Sequence, residues 1–239
     1  VTRIAVAALV CAAAVWLWPR EPDPLPGLPH TFVWAWERPE DLRFLDPHTT
    51  GIAFLDRTVF LDAGEVSVRP RFQPLRYPAG AALMAVVRVE PRRLPLPWPQ
   101  IAADAIAEAS HGTALRALQV DFDATLSQRA FYRDVLKELR RRVPAQMPLS
   151  MTALASWCQS DNWIAGLPVA EAVPMLFRMG PGQHAARSFR PELCRSSVGV
   201  STDEPLGAPP VAARIYLFNP RPWSPADFGS AIREVHRWH

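Results

Sequence analysis

The sequence predicts a compact, irregular α/β domain of the (β/α)8 TIM-barrel type over residues 31–239. Three observations lead there. β-branched and aromatic runs alternate with helical periods along the whole stretch, which implies parallel strands joined by crossovers. About eight strand-like runs in roughly 210 residues fit a barrel near the low end of its usual size. Composition does not break near the middle, so the stretch reads as one core. An open doubly wound sheet is the alternative that the same alternation allows. No Gly-rich strand–helix turn of the nucleotide-binding type occurs, which argues against a Rossmann or P-loop site.

The elements follow in order. Residues 31–37 (TFVWAWE) form a first strand, and 39–45 the start of a short helix. A second strand covers 51–55 (GIAFL). Residues 59–61 and 65–68 flank Asp62-Ala63-Gly64 as a hairpin. A third strand, 83–89, precedes a Pro-rich loop. The helix over 98–111 ends at Gly112. The fourth strand is 117–122. The clearest helix is 127–143, with Phe131, Val135, Leu136 and Leu139 on one face and Pro144 behind it. Strands at 149–154, 172–177, 197–200 and 214–218 and a helix at 225–236 complete the domain.

The N-terminus sets the expected compartment. Arg3 precedes an apolar run over 4–18 whose length suits a signal-peptide core or a short anchor. Trp16 and Trp18 stand where an interfacial aromatic belt would, and no small-x-small cleavage site follows. Cys11 is a poor lipoprotein match because Val10 precedes it. Residues 1–19 are therefore read as a signal-anchor, with a cleaved signal peptide second, and 20–30 as a Pro-rich linker. Either way the domain is expected in the cell envelope, anchored to the inner membrane facing the periplasm or released into it. Export leaves two readings for Cys158 and Cys194: a disulfide, or two buried thiols.

Composition narrows the partners. Net charge is only +3, and the basic run over 137–142 ends a helix, where cations suit the helix dipole, so no nucleic-acid partner is expected. The six histidines show no His-x-x-x-His spacing and there is no Cys-x-x-Cys, so no metal site is expected. No cofactor motif is present, and Ser156 and Ser160 lack a nucleophile-elbow context.

In a barrel, chemistry belongs to the C-terminal ends of the strands. Gln119, Asp121 and Asp123 fall on one face of the fourth strand, while Val120 and Phe122 face the helices. Two neighbouring carboxylates repel, so one should hold a proton at neutral pH, as a general acid needs. Asp123 could instead cap the helix that follows. Trp34 and Trp36 share the lumen face of the first strand, and Glu37 lies at its rim. Trp157, Arg178, Asn219 and Trp223 follow other strand ends. Aromatic faces beside carboxylates and amides suit a sugar ligand. The catalytic candidates are Asp121, Asp123 and Glu37. The substrate-binding candidates are Trp36, Gln119, Trp157, Arg178, Asn219 and Trp223.

The segments FVWAWE (32–37), LQVDFDA (118–124), LSMTALASW (149–157) and VPMLFRMG (173–180) together resemble the bacterial proteins grouped as domain of unknown function 3142. That group looks like a distant relative of family 18 glycoside-hydrolase barrels, whose fourth strand ends D-x-x-D-x-D-x-E. Asp121 and Asp123 match the second and third Asp of that pattern. Leu118 replaces the first, and Thr125 replaces the catalytic Glu. Met175 to Arg178 echoes the sixth-strand motif without its Tyr, and Trp223 is comparable to the Trp that floors such sites.

The resemblance implies a glycoside-hydrolase-like envelope protein acting on a polysaccharide or peptidoglycan. Asp123 or Glu37 would serve as proton donor, because Thr125 cannot. The replaced Glu equally suits a non-catalytic glycan-binding or scaffold protein on a degenerate barrel. A purely structural protein would have a filled barrel mouth around Asp123.

Overall fold

The structure, a computed structural model, describes residues 23–112, 114–179, 188–206 and 214–238. The expected membrane segment and the first residues of the expected linker lie outside them. Among the described residues no helix is long and apolar enough to cross a membrane.

Eight parallel strands close into a barrel: β1 (Thr31–Ala35), β3 (Thr50–Asp62), β6 (Leu83–Arg93), β7 (Leu115–Asp121), β8 (Leu149–Leu154), β9 (Glu171–Met175), β10 (Ser197–Ser201) and β11 (Arg214–Phe218). β1 seals the ring. It pairs with β11 on one side (Phe32↔Tyr216) and with β3 on the other (Phe32↔Gly51). The open doubly wound alternative is thereby excluded.

The helices are α1 (Pro99–Ala107), α2 (Arg129–Arg142), α3 (Ala155–Gln159) and α4 (Pro225–Val235). Pro99 begins α1 at a position where the absent N–H costs nothing. α2 buries Tyr132, Val135, Leu136 and Leu139 on one stripe. Tyr132 replaces the expected Phe131 on the fully buried face, because it completes the three-and-four spacing with its neighbours.

Between β1 and β3 the expected helix at 39–45 is absent. β2 (Glu40–Asp41) instead pairs in parallel with β5 (Leu75–Arg76). The Glu40 carboxylate accepts from Arg38 Nε (2.7 Å) and the Trp223 N–H (2.9 Å), so β5 and Trp223, both distant in sequence, hold this backbone extended.

Alternation along the strands sorts the core into two. Val33, Ile52, Ala85, Val120, Met151 and Leu217 face outward into the layer under the helices. Phe32, Trp34, Met84, Val86, Val173 and Tyr216 fill the lumen. Leu25 and Leu28, within the stretch expected to be a spacer, also pack into the lumen cluster and close the N-terminal end of the barrel. Asp23 ties that plug to the fully buried Arg214 (3.1 Å).

A buried polar chain crosses the lumen. Trp34 Nε1 donates to Gln119 Oε1 (2.9 Å), Gln119 Nε2 to Ser150 Oγ (3.0 Å), and Ser150 Oγ to Glu171 Oε1 (3.0 Å), which also accepts from the Tyr216 hydroxyl (2.5 Å).

The barrel is irregular on one side. β3 and β6 run on past the mouth, and β4 (Glu65–Pro70) adds antiparallel to β3 through the turn at Ala63 and Gly64. β1 ends opposite Phe54, so the remainder of β3 projects roughly 25 Å as an arm. On the other flank a disulfide joins Cys158 in α3 to Cys194, with Cα atoms 5.8 Å apart, which decides between the two readings of those cysteines.

Gly199 admits the edge of Trp34. A Cβ there would stand 2.6 Å from Trp34 Cη2. Gly199→Ala is expected to destabilise the fold by about 1–3 kcal/mol through overpacking. Denaturant unfolding measures this, and an unchanged midpoint would show that the ring is not wedged there.

Candidate functional site

The lumen is filled from below as far as Trp34, whose ring stacks on Tyr216 (centroids 5.3 Å apart). Above it the barrel opens. A cavity of about 480 Å³ at the C-terminal strand ends is lined by Trp34, Trp36, Arg88, Asp121, Asp123, Thr152, Phe177, Arg178 and Phe218, among others. This is the end of the fold that carries chemistry in parallel barrels.

Strand alternation puts Asp121 on the lumen side of β7, and the turn beyond keeps Asp123 on the same side. Asp121 is 5% exposed. Its Oδ1 accepts from Thr152 Oγ1 (2.7 Å) on β8 and its Oδ2 from Arg88 Nη1 (3.1 Å) on β6. Burial pushes the Asp121 carboxyl above the ordinary value of 3.8, and the neighbouring Asp123 adds to this. Arg88 and Thr152 oppose the rise without reversing it. Partial burial works against the charge on Arg88, yet Asp121 and Glu90 outweigh it and raise the guanidinium pKa.

Asp123 is solvent-exposed and accepts no hydrogen bond from another described residue. Thr125, rather than Asp123, stands at the N-cap of the following turn, where its N–H donates to the Gln128 side chain (2.9 Å). Capping therefore does not occupy Asp123.

The remaining candidates divide. Trp36 lines the cavity, with the Arg88 guanidinium 5.7 Å from its ring centroid. Arg178 lines the opposite wall, in a left-handed backbone conformation (φ 53°), 5.6 Å over Phe218. Its N–H donates to Glu204 (2.8 Å).

Glu37 is not among the cavity residues. It faces Arg71 and Phe72, whose N–H donates to its Oε1 (3.3 Å). Gln119 is fully buried below the floor in the polar chain. Trp157 packs edge-on against Trp163 in the outer core (4.9 Å). Asn219 is 1% exposed and accepts from Thr202 Oγ1 (2.6 Å). Trp223 is in the outer core, its Nε1 donating to the Trp34 carbonyl (3.1 Å). Glu37, Gln119, Trp157, Asn219 and Trp223 thus stand outside the cavity.

Arg88, Thr152, Phe177 and Phe218 were not anticipated. Arg88 left a trace in the sequence as the one charge in the apolar run 83–89, in step with Met84 and Val86 on the lumen face. Phe177 and Phe218 stack on each other (5.7 Å, interplanar angle 4°), a contact between strand ends far apart in the chain.

Residues 79–175 match the model of a family described as Domain of unknown function (DUF3142). The matched stretch spans β6 to β9 and includes Arg88, Asp121, Asp123 and Thr152. The aromatic wall of Trp34, Trp36, Phe177 and Phe218 lies on either side of it. No curated protein and no solved structure matches the chain.

The raised pKa of Asp121 carries a sign. The folded chain binds this proton more tightly than the unfolded chain, so the Asp121 contribution to stability is greatest below pH ~4 and falls as pH rises through the folded-state value. Asp121→Asn is expected to flatten the wild-type decline of stability above pH ~4. Urea midpoints across pH would check it, and parallel profiles for the two proteins would contradict it.

Proposed function

We propose that the barrel mouth is a glycan site of glycoside-hydrolase-like type, acting on a polysaccharide or peptidoglycan, with Asp123 as the acting carboxyl. One observation carries this reading: Asp123 stands unpaired on the wall of an open, aromatic-lined cavity at the C-terminal end of a parallel barrel. Trp36 supplies a face on which a pyranose ring stacks, and Arg178 supplies a polar group for an anionic or acetamido substituent. The cavity also speaks against the filled mouth of a purely structural barrel.

In hydrolysis, the Asp123 carboxyl gives its proton to the glycosidic oxygen as the bond from that oxygen to the anomeric carbon breaks. Water adds to the anomeric carbon, and its released proton returns to the Asp123 carboxylate. Asp121 lies buried behind Asp123, held by Thr152 and Arg88.

A second reading, glycan binding without hydrolysis, has its own support. Thr125 is in a helix cap where the resemblance would want a Glu, and the reserve acid Glu37 is turned toward Arg71. The two readings separate in one experiment. Wild-type protein and Asp123→Asn are incubated with a panel of soluble glycans, and both binding and reducing-end release are measured. Hydrolysis predicts release by the wild type and loss of at least 100-fold in the variant, with circular dichroism unchanged. Binding without release supports the second reading, and neither binding nor release ends both.

We also propose that the domain works in the cell envelope. The Cys158–Cys194 disulfide supports this, since such bonds persist in oxidising compartments, as does the apolar run at 4–18. The bond closes a loop with a sequence separation of 36. Replacing both cysteines by Ser is expected to cost about 3–4 kcal/mol on the chain-entropy account. Thermal or denaturant unfolding measures it, and an unchanged stability would show that the bond constrains little.

A further inference from the structure

The arm beside the mouth has a charged inner face that the proposed site does not use. Register places Phe60 opposite Glu90 on β6 and Ser67 on β4, and Thr58 opposite Arg88 and Arg69. These side chains share one face, the same face that carries Arg88 into the mouth. Val59, Leu61 and Val89 turn the other way into the outer core.

Phe60 is 6% exposed, with the Arg92 guanidinium 3.8 Å and the Arg69 guanidinium 5.4 Å from its ring centroid. Neighbouring arginines are neutralised: Arg57 by Asp56 and Glu108, Arg88 by Glu90 and Asp121, and Arg93 by Asp62. Arg69 and Arg92 form no ion pair with a described residue. Both are held on an aromatic face with their donors uncommitted, a preorganised arrangement for an anion.

A second cavity of about 220 Å³ runs along β6 where β7 has ended. Arg88, Val89, Glu90, Pro91 and Arg92 of β6 line it together with Asp121, Phe122 and Asp123. It shares Arg88, Asp121 and Asp123 with the mouth, so Asp123 stands where the two cavities meet. Of the three acids in the cleft, Glu90 and Asp121 are bound to Arg88 (2.8 and 3.1 Å), and Arg92 shares the field of Asp62, which is itself bound to Arg93.

We infer that this cleft is a second subsite, for a carboxylate-bearing unit of a sugar chain that crosses Asp123. The inference rests on the glycan reading of the mouth and specifies its substrate class as an acidic oligosaccharide of at least two units. One unit lies against the aromatic wall, and the next presents its carboxylate to Arg92, with Arg69 across the Phe60 ring on β4, level with Arg88 and outside the cleft lining. A guanidinium fork suits a carboxylate.

The test is isothermal titration of the full chain with trimers of galacturonate and of mannuronate, each beside its neutral methyl ester, and with tripolyphosphate as a plain polyanion. At least one acidic trimer should bind ten-fold or more tighter than its ester. In the double variant Arg69→Gln/Arg92→Gln, with its fold verified by circular dichroism, that ratio should fall to within two-fold. Acid and ester bound equally by the wild type would overturn the subsite and leave the glycan reading standing. So would a ratio that survives the double variant, or tripolyphosphate bound as tightly as the acidic trimers. Binding of none of the sugars would overturn the subsite, while the glycan reading of the mouth stands or falls on the glycan panel.

Discussion

Trp34 lies across the lumen of a closed eight-stranded ring, and the position of that one indole decides which part of the barrel is packed and which is open. Its face stacks on Tyr216, its Nε1 is committed to Gln119, and its outer edge enters the space that Gly199 leaves. Below it, Phe32 stacks on Tyr216 and fills the place where Gly51 has no side chain. An interior of eight strands is only wide enough for side chains, so each large ring needs a small residue across from it. Above Trp34 the residues at the strand ends no longer meet, and the cavity begins.

The lower half is held by charge as well as by shape. Glu171 and Arg214 are fully buried, 3.7 Å apart, and hydrogen bonds to Ser150, Tyr216, Asp23 and backbone carbonyls near residues 25–29 share their load. Burial pushes the Glu171 carboxyl up, while Tyr216 and Arg214 pull it down without cancelling the rise. Removing either member of such a pair strands the other charge in the interior, which is strongly destabilising. Here the pair fixes the plug at 23–30 against β11. The Pro-rich composition of that segment describes its backbone but says nothing of the lumen that Leu25 and Leu28 occupy.

Much of the fold was legible because strand and helix periods are local. The strands at 149–154 and 214–218 have the bounds read from the sequence, and the alternation in 117–122 put Gln119, Asp121 and Asp123 on the lumen side as expected. The expected helix at 39–45 failed because its backbone takes partners from β5 and from Trp223, and no window of the sequence contains them. Among the site residues, those displaced from the cavity are mostly large or amphipathic groups after a strand end. Trp157, Asn219 and Trp223 do follow strands, but a side chain one or two residues past a strand can turn inward to the mouth or outward to the helices. The packing of α3 and α4 decides which.

The sequence by itself determined the alternation of strands and helices, the α/β class with parallel strands, and the placing of Asp121 with Asp123 on one face. Each of these depends on neighbours within a few residues, where periodicity is binding. Tertiary structure alone decided that Asp121 is buried between Arg88 and Thr152 while Asp123 is free, that Glu37 faces Arg71, and that β3 and β6 continue past the mouth as an arm. Those outcomes depend on strand register and on where the ring closes, which set the distance between residues that the chain itself keeps far apart.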